Sequence, residues 1–179
     1  MPNLFIVVLV IAMIIMIGNF IFMLSRYRRC APDQVLVIYG KTKTGDVECI
    51  CGGGRFVWPI IQDSAYLSLR PMTIKIKLKG ITIDEKRIDV PGTFTFGVSS
   101  KPEVLQNAAK HLLGLDDEHI KAMAKKIIFS QLRLTVASLT EEQIKEDQEL
   151  FLNSVSKHTE PEFEKIGLNL INTDFYELW

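Results

Sequence analysis

Hydrophobic and polar positions divide the chain into three stretches with different periods. Leu4 to Leu24 is apolar throughout and carries no charge; short extended patterns follow over residues 34–98, and a helical period of three to four residues begins at Ser99. An apolar run of 21 residues predicts a helix about 32 Å long, which matches a hydrocarbon core of about 30 Å. Because lipid offers the backbone no hydrogen bonds, the expected form is a membrane-spanning α-helix.

Charge at the two ends of this run predicts how it sits in the membrane. Arg26, Arg28 and Arg29 follow it, whereas Met1-Pro2-Asn3 carries no basic side chain and no small-residue cleavage site is present. These features argue against a cleaved signal peptide. The arginines place the following residues in the cytoplasm by the positive-inside rule. We therefore predict a single-pass cell-membrane anchor with its basic flank over residues 1–29 and one cytoplasmic domain over residues 30–179.

Residues 34–98 predict a series of strands. Gln34 to Tyr39 is apolar on both faces, which is typical of a strand covered on both sides, and Ala31-Pro32-Asp33 separates it from the anchor. Thr73 to Lys79 alternates, so that three lysines share one face. That face is expected to be solvated, with contact to anionic headgroups as the alternative. Turns are predicted at glycine and proline positions, namely 52–54, Gly80 and Pro91-Gly92. Further strands are predicted at 47–51, 66–69, 81–83, 87–90 and 93–98.

The helical part predicts three helices and then a last strand. Ser100-x-x-Glu103 and Thr140-x-x-Gln143 are capping boxes that open the first and third helices, and Asp116 or Asp117 opens the second. Pro161 is expected to kink or restart the third helix before Gly167 ends it. Leu168 to Tyr176 then predicts a final strand. Strands first, then helices, then a strand indicate an α+β domain.

Charge is unevenly distributed over a chain whose net charge is zero. Residues 30–138 hold 15 basic and 11 acidic side chains, whereas residues 139–179 hold 3 basic and 10 acidic ones. A solvated acidic helix explains this, and the alternative is that oppositely charged halves of neighbouring copies pack together. No basic surface interleaved with aromatic residues is visible, so we expect no nucleic-acid partner.

No pattern in the sequence predicts catalysis. Cys49-x-Cys51 offers too few ligands for a zinc site and is expected to pack; Cys30 lies where S-acylation occurs in membrane proteins, which is the alternative to packing. The three histidines show no metal-ligand spacing, and no nucleophile elbow, P-loop or dinucleotide fingerprint is present. We therefore predict no catalytic, cofactor-binding or metal residues, no cofactor and no small-molecule substrate. A tethered enzyme with a site built from scattered residues is the remaining alternative.

Several segments, in order, carry a resemblance to a known family. The chain resembles the flotillin branch of the stomatin–prohibitin–flotillin–HflK/C (SPFH, or band 7) superfamily over essentially its whole length. The matching segments are the anchor with its basic end, Cys30 to Ile38, Gly52 to Gln62, Ile88 to Pro91, Leu112 to Gly114, Thr140 to Ile144 and Gly167 to Leu170.

The resemblance implies a band 7 domain held at the membrane that organises membrane microdomains and associated membrane proteins without being an enzyme. Membrane lipids, other copies of the chain and an integral-membrane protein are the partners it implies. The alternative function is a regulator or adaptor of a membrane protease or another integral partner. Flotillins continue into a long coiled coil, whereas this sequence ends at Trp179; a fragment and a reduced member are both compatible with that difference.

Overall fold

Strands precede helices in the domain, and a single helix precedes them all. The computed structural model describes residues 2–42, 45–58 and 61–176. The α+β prediction is confirmed. The elements are α1 Pro2–Leu24, β1 Tyr27–Thr42, β2 Gly45–Phe56, β3 Gln62–Ser68, β4 Met72–Ile81, β5 Arg87–Val98, α2 Pro102–Leu112, α3 Asp117–Ser138, α4 Glu141–Glu146, α5 Gln148–Ile166 and β6 Leu168–Phe175.

The first sheet is antiparallel, with strand order β2-β1-β3. Its central strand is buried on both faces, as predicted: Val35 and Val37 enter the main core, whereas Leu36 and Ile38 belong to a second cluster with Cys30 and Val57. Each of the four residues from 35 to 38 is at most 1% exposed. The apolar run therefore lies between two layers of side chains.

The predicted break at Ala31-Pro32-Asp33 and the predicted turn at 52–54 are both wrong, because both segments lie inside strands. β1 begins at Tyr27, and its register with β2 shifts between the pairs Cys30–Gly53 and Val35–Cys51. Gly52 and Gly53 do adopt positive φ, of 78° and 79°. Pro32 lacks the N–H that a regular ladder needs, so the two strands pass each other irregularly here without reversing.

The second sheet is antiparallel, with order β4-β5-β6. The turn predicted at Gly80 is wrong: β4 runs on to Ile81, and the chain reverses over 82–86, where the Thr82 amide donates to the Lys86 carbonyl at 3.0 Å. Gly80 instead allows close packing, because a Cβ there would lie 2.8 Å from Val136 Cγ1.

The turn or bulge predicted at Pro91 is wrong, because Pro91 does not interrupt β5. It pairs in register with Lys77 inside β5, and its carbonyl accepts from the Tyr176 amide at 3.1 Å. Since the N and O of one strand residue point the same way, the missing N–H of Pro91 faces the end of β6 rather than β4. Its absence therefore removes no bond between β5 and β4.

Two helices, α3 and α5, pack on the second sheet, and α2 and α4 pack on α5. α3 packs on β4, α5 packs on β6 and α3, and α2 joins α5 to β2 of the first sheet. Phe96 and Phe163 meet edge to face at 5.7 Å between ring centroids, and Phe151 lies 4.9 Å from Phe175. The main core thus runs from the second sheet through the helices and reaches the first sheet at Val35 and Val37.

The predicted helix starts are confirmed at two positions and wrong at one. The Asp116 carboxylate accepts from the His119 amide, and Thr140 with Gln143 forms the complete capping box. The Ser100 box is absent: α2 has Lys101 as its N-cap without a side-chain bond. Pro102 explains the difference, since the residue before a proline is disfavoured in the α region: Lys101, with φ −68° and ψ 128°, is extended and becomes the N-cap, so the helix begins at Pro102.

The last predicted helix is divided at a different place from the one expected. Asp147, with φ −115° and ψ 74°, ends α4 and caps α5 by accepting from the Leu150 amide at 2.9 Å. α5 then continues through Pro161 to Ile166. Pro161 is exposed, so the carbonyl that loses its partner lies on the solvent side of the helix, where water can bind it.

Candidate membrane-facing surface

α1 has no partner within the described part of the protein. Its large apolar side chains from Ile6 to Leu24 are all 49–69% exposed, and this 19-residue stretch rises about 28 Å as an α-helix. That length and composition suit a membrane crossing. An apolar surface of this size on a soluble protein would be covered by another element, and lipid can provide the same cover.

The chain passes from α1 into the first sheet without a linker. The Ser25 amide donates to the Ile21 carbonyl at 3.1 Å, the Arg26 amide donates to the Met23 carbonyl at 3.2 Å, and β1 begins at the next residue. The Val57 amide donates to the Arg26 carbonyl at 3.3 Å, which ties the end of β2 to the same point. The first sheet therefore starts at the depth where the helix ends.

Basic and aromatic side chains alternate at this junction. The Arg26 guanidinium lies 5.4 Å from the Phe22 ring centroid, and that of Arg29 lies 6.0 Å from the Tyr27 ring centroid. Both distances are within the range of cation–π attraction. Arg28 and Arg29 are exposed on β1. Amphipathic rings and cations at the end of an apolar helix suit the headgroup region of a bilayer.

The β2–β3 connection adds apolar side chains at the same end of the sheet. Phe56 pairs with Tyr27 across the sheet and packs edge to face on Trp58 at 5.8 Å between ring centroids. Trp58 is 60% exposed and Ile61 is 50% exposed. The Gln62 amide donates to the Trp58 carbonyl at 3.0 Å, and the Trp58 amide donates to the Gln62 side-chain oxygen at 3.2 Å, so Trp58 and Gln62 are held together.

We use "juxtamembrane surface" for a set of residues at this end of the molecule, which combines the half-buried Arg26 with five exposed residues of the flank and the loop: Tyr27, Arg28, Arg29, Trp58 and Ile61. The sequence predicts the basic flank but not the contribution of the loop, because the glycine run before Arg55 indicates only a change in backbone geometry. An available signal was the apolar run Phe56 to Ile61, which follows a strand without a polar turn residue.

The three cysteines lie in different surroundings. Cys30 is buried and its thiol donates to the Gln34 carbonyl at 3.0 Å. Burial raises the pKa of the Cys49 thiol and also that of Cys51, so the reactive thiolate is disfavoured at both. The observed geometry at Cys30 favours packing over S-acylation, since the sulfur points into the second cluster.

The histidines and acidic residues form no metal site within the described residues. His111 contacts the Asn107 carbonyl, His119 contacts the Asp116 carboxylate and His158 contacts the Thr135 hydroxyl, so each is bound at a separate place. The Asp116 pKa is lowered, chiefly by its bond with His119. Asp116 serves the helix start, as its position in the sequence predicted.

Comparison with known proteins identifies a family over most of the chain. The model of the SPFH domain / Band 7 family matches residues 29–176. Flotillin-2 of Carassius auratus is 27% identical over 143 residues, covering 79% of this chain and 33% of its own length. The flotillin-like protein FloT of Bacillus subtilis is 22% identical over 160 residues (83% and 31%), and human Flotillin-1 is 26% identical over 145 residues (80% and 34%). The chain spans about a third of the length of these relatives.

Proposed function

Because this chain belongs to the SPFH domain / band 7 family, we propose that it is a membrane-anchored, flotillin-like scaffold without catalytic activity. It would organise membrane microdomains and the membrane proteins within them by lateral association. The observation that carries the proposal is the direct fusion of an unpartnered apolar helix to the first sheet of the domain, with no linker between them.

The proposed division of the chain follows the sequence prediction. Residues 1–29 act as the anchor with its basic flank, and residues 30–179 act as the domain, held on the cytoplasmic side. Because β1 begins at Tyr27, the sheet is held close to the bilayer, where the juxtamembrane surface can meet headgroups. Trp58 and Ile61 would sit at the interface between water and hydrocarbon, where amphipathic and apolar side chains are stabilised.

A scaffold needs partners rather than a reaction site, and the described residues suit that role. Three hollows on the domain lie at its surface and are lined by residues of α3, of the start of α5 and of the end of β4. The proposed partners are membrane lipids, further copies of the chain and an integral-membrane protein. No nucleic acid or small-molecule substrate is proposed.

Membrane fractionation tests the proposal directly. Replacing Val10→Arg and Ile14→Arg places two charges near the middle of α1, and each costs about 3 kcal/mol at a helix centre in lipid. We expect the native full chain to stay in the carbonate-washed membrane pellet and to cross-link to itself there. The charged variant should move largely to the supernatant.

The matched control is Val10→Leu with Ile14→Leu, which keeps the helix apolar and should remain in the pellet. Native protein found in the supernatant without detergent would refute the anchor. Native protein that stays in the pellet but is monomeric and evenly distributed in the membrane would refute the scaffold while leaving the anchor intact.

A further inference from the structure

The second sheet and its helices leave two lateral edges that are built from different elements. β4 and β6 each have a single strand neighbour, β5, among the described residues. α3 packs on β4, whereas α5 packs on β6 and α4 packs on α5. We call β4 with α3 the basic edge, and β6 with α5 and α4 the acidic edge.

The basic edge combines positive charge with an exposed aromatic ring. β4 carries three lysines and no carboxylate, and α3 carries four basic side chains against two acidic ones. The outer flank of α3 and the end of β4 form two adjoining hollows of about 490 and 420 Å³ that share Phe129, which is 40% exposed. Lys125, Lys126 and Arg133 line these hollows and have no ion-pair partner in the described part of the chain.

The acidic edge has the complementary composition. α4 carries three acidic side chains and one lysine, and β6 carries Asp174 and no basic residue. A hollow of about 360 Å³ at the start of α5 is lined by two acidic side chains, Asp147 and Glu149, by one basic side chain, Lys157, and by Leu150, which is 40% exposed. Glu142, Glu146 and Glu149 are exposed and, within the residues that the structure covers, form no ion pair.

The two surfaces lie at the same end of the sheet. β4 and β6 are both antiparallel to β5 and therefore run in the same direction. The basic hollow lies beside Leu78 to Ile81, the end of β4, and the start of α5 lies over the end of β6, where Phe151 contacts Phe175. Two copies placed side by side with their strands in the same direction would thus bring these surfaces to the same end of the neighbouring sheets.

We infer that the basic edge of one copy binds the acidic edge of a second copy, with Lys126 and Arg133 facing Glu146 and Glu149 around the exposed Phe129 and Leu150. The inference rests on the proposed function, because lateral association is what it specifies. Each edge offers unpaired charge of opposite sign around an apolar centre, and complementary charge gives such a contact its register. Since the two surfaces differ, the contact is heterologous and continues into a ring or a filament.

Charge reversal on each edge tests this pairing in the full chain purified in detergent. One variant carries Lys126→Glu and Arg133→Glu, a second carries Glu146→Lys and Glu149→Lys, and a third carries all four changes. Sedimentation velocity measures self-association. We expect each two-residue variant to weaken association at least about tenfold, because like charges then face each other, and the four-residue variant to recover to within about threefold, since its pairs are restored in reverse.

The control variant is Lys110→Glu with Arg87→Glu, which makes the same change in net charge as the basic-edge variant, on α2 and at the start of β5, and should associate like the native chain. Thermal unfolding of every variant shows whether it is folded. A folded two-residue variant that associates normally, or a four-residue variant that stays dissociated, would overturn the pairing. If the acidic-edge variant associates normally while the basic-edge variant alone loses affinity for anionic vesicles, the basic edge binds lipid rather than a second copy.

The result separates this inference from the proposed function. Native protein that self-associates without sensitivity to these charges refutes the edge pairing and leaves the scaffold standing. Native protein that is monomeric in membranes refutes lateral association itself. Association that weakens as salt rises from low concentration to physiological strength would further support the pairing, because exposed charges are screened over about 8–10 Å.

Discussion

Gly114 and Gly167 both follow the end of a helix with positive φ, of 81° and 94°, but their surroundings differ. A Cβ at Gly114 would meet nothing within 4 Å, whereas one at Gly167 would overlap the backbone of Ala108. Gly167 is therefore required twice, once by its backbone angle and once because α2 packs against it. Its carbonyl also accepts from the Ser99 amide at 3.1 Å, which joins α5, β6 and the start of α2.

Replacing Gly167 with alanine should be much more destabilising than the same change at Gly114. The left-handed angle costs about 1–2 kcal/mol at either position, and overpacking at Gly167 adds about 1–3 kcal/mol. Urea unfolding of the full chain in detergent, followed by circular dichroism, compares the two variants. Equal losses of unfolding free energy would show that α2 does not pack closely on Gly167.

At the scale of elements, α4 is held to the turn of the second sheet by charge. The Glu141 carboxylate lies 2.8 Å from the amine of Lys86, in the turn between β4 and β5. It also lies 2.7 Å from the amine of Lys145, one helical turn further along α4. The bonds with Lys145 and then Lys86 lower the pKa of Glu141 below its ordinary value of 4.5. The bond with Glu141 is likewise the first cause of a raised Lys86 pKa.

These shifts predict how stability depends on pH. A carboxylate with a lowered pKa in the folded state stabilises the fold above its ordinary pKa, and the contribution is lost as pH falls through the folded value. The gap in melting temperature between native protein and Glu141→Gln should thus be constant near pH 7 and shrink below pH 4.5.

Glu142→Gln is the matched control, because its exposed side chain forms no ion pair within the described residues. The melting temperature of this variant should differ little from that of the native protein at every pH. Melting curves from pH 7 down to pH 3 distinguish the cases. A gap at Glu141 that stays constant down to pH 3 would mean that the ion pairs contribute nothing to stability, as happens for many exposed pairs.

At the scale of the whole molecule, the arginine flank predicts on which side of the membrane the domain lies. Cys51 offers a native probe, since its side chain is exposed while Cys30 is buried and Cys49 is half-buried. A cytoplasmic domain predicts that a membrane-impermeant maleimide labels Cys51 only after the cells are permeabilised.

Cys51→Ser should remove most of the labelling in permeabilised cells and so identifies the reacting thiol. Labelling is best done at mildly alkaline pH, because burial raises the pKa of the Cys51 thiol. Strong labelling of intact cells, lost in Cys51→Ser, would place the domain outside and reverse the orientation that Arg26, Arg28 and Arg29 predict.

The sequence by itself determined what depends on neighbours along the chain. The long apolar helix α1 follows from an unbroken apolar run, the buried strand at 35–38 from apolar residues on both faces, and the caps at Asp116 and Thr140 from side chains within one helical turn. The end of α5 at Gly167 is likewise determined by the local sequence. In each case the interaction that decides the structure spans only a few residues, or involves solvent and lipid rather than another element.

Only the tertiary structure decided the features that depend on distant partners. Gly80 continues a strand because Val136 packs against it, Pro91 is tolerated because its missing donor faces the end of β6, and Pro32 lies inside β1 because β2 passes it irregularly. The juxtamembrane surface likewise forms because Phe56 pairs with Tyr27 across the sheet, which brings the loop of Trp58 beside the end of the anchor. Glycine and proline signal a change in backbone geometry, but the packing around them decides whether the chain turns or continues.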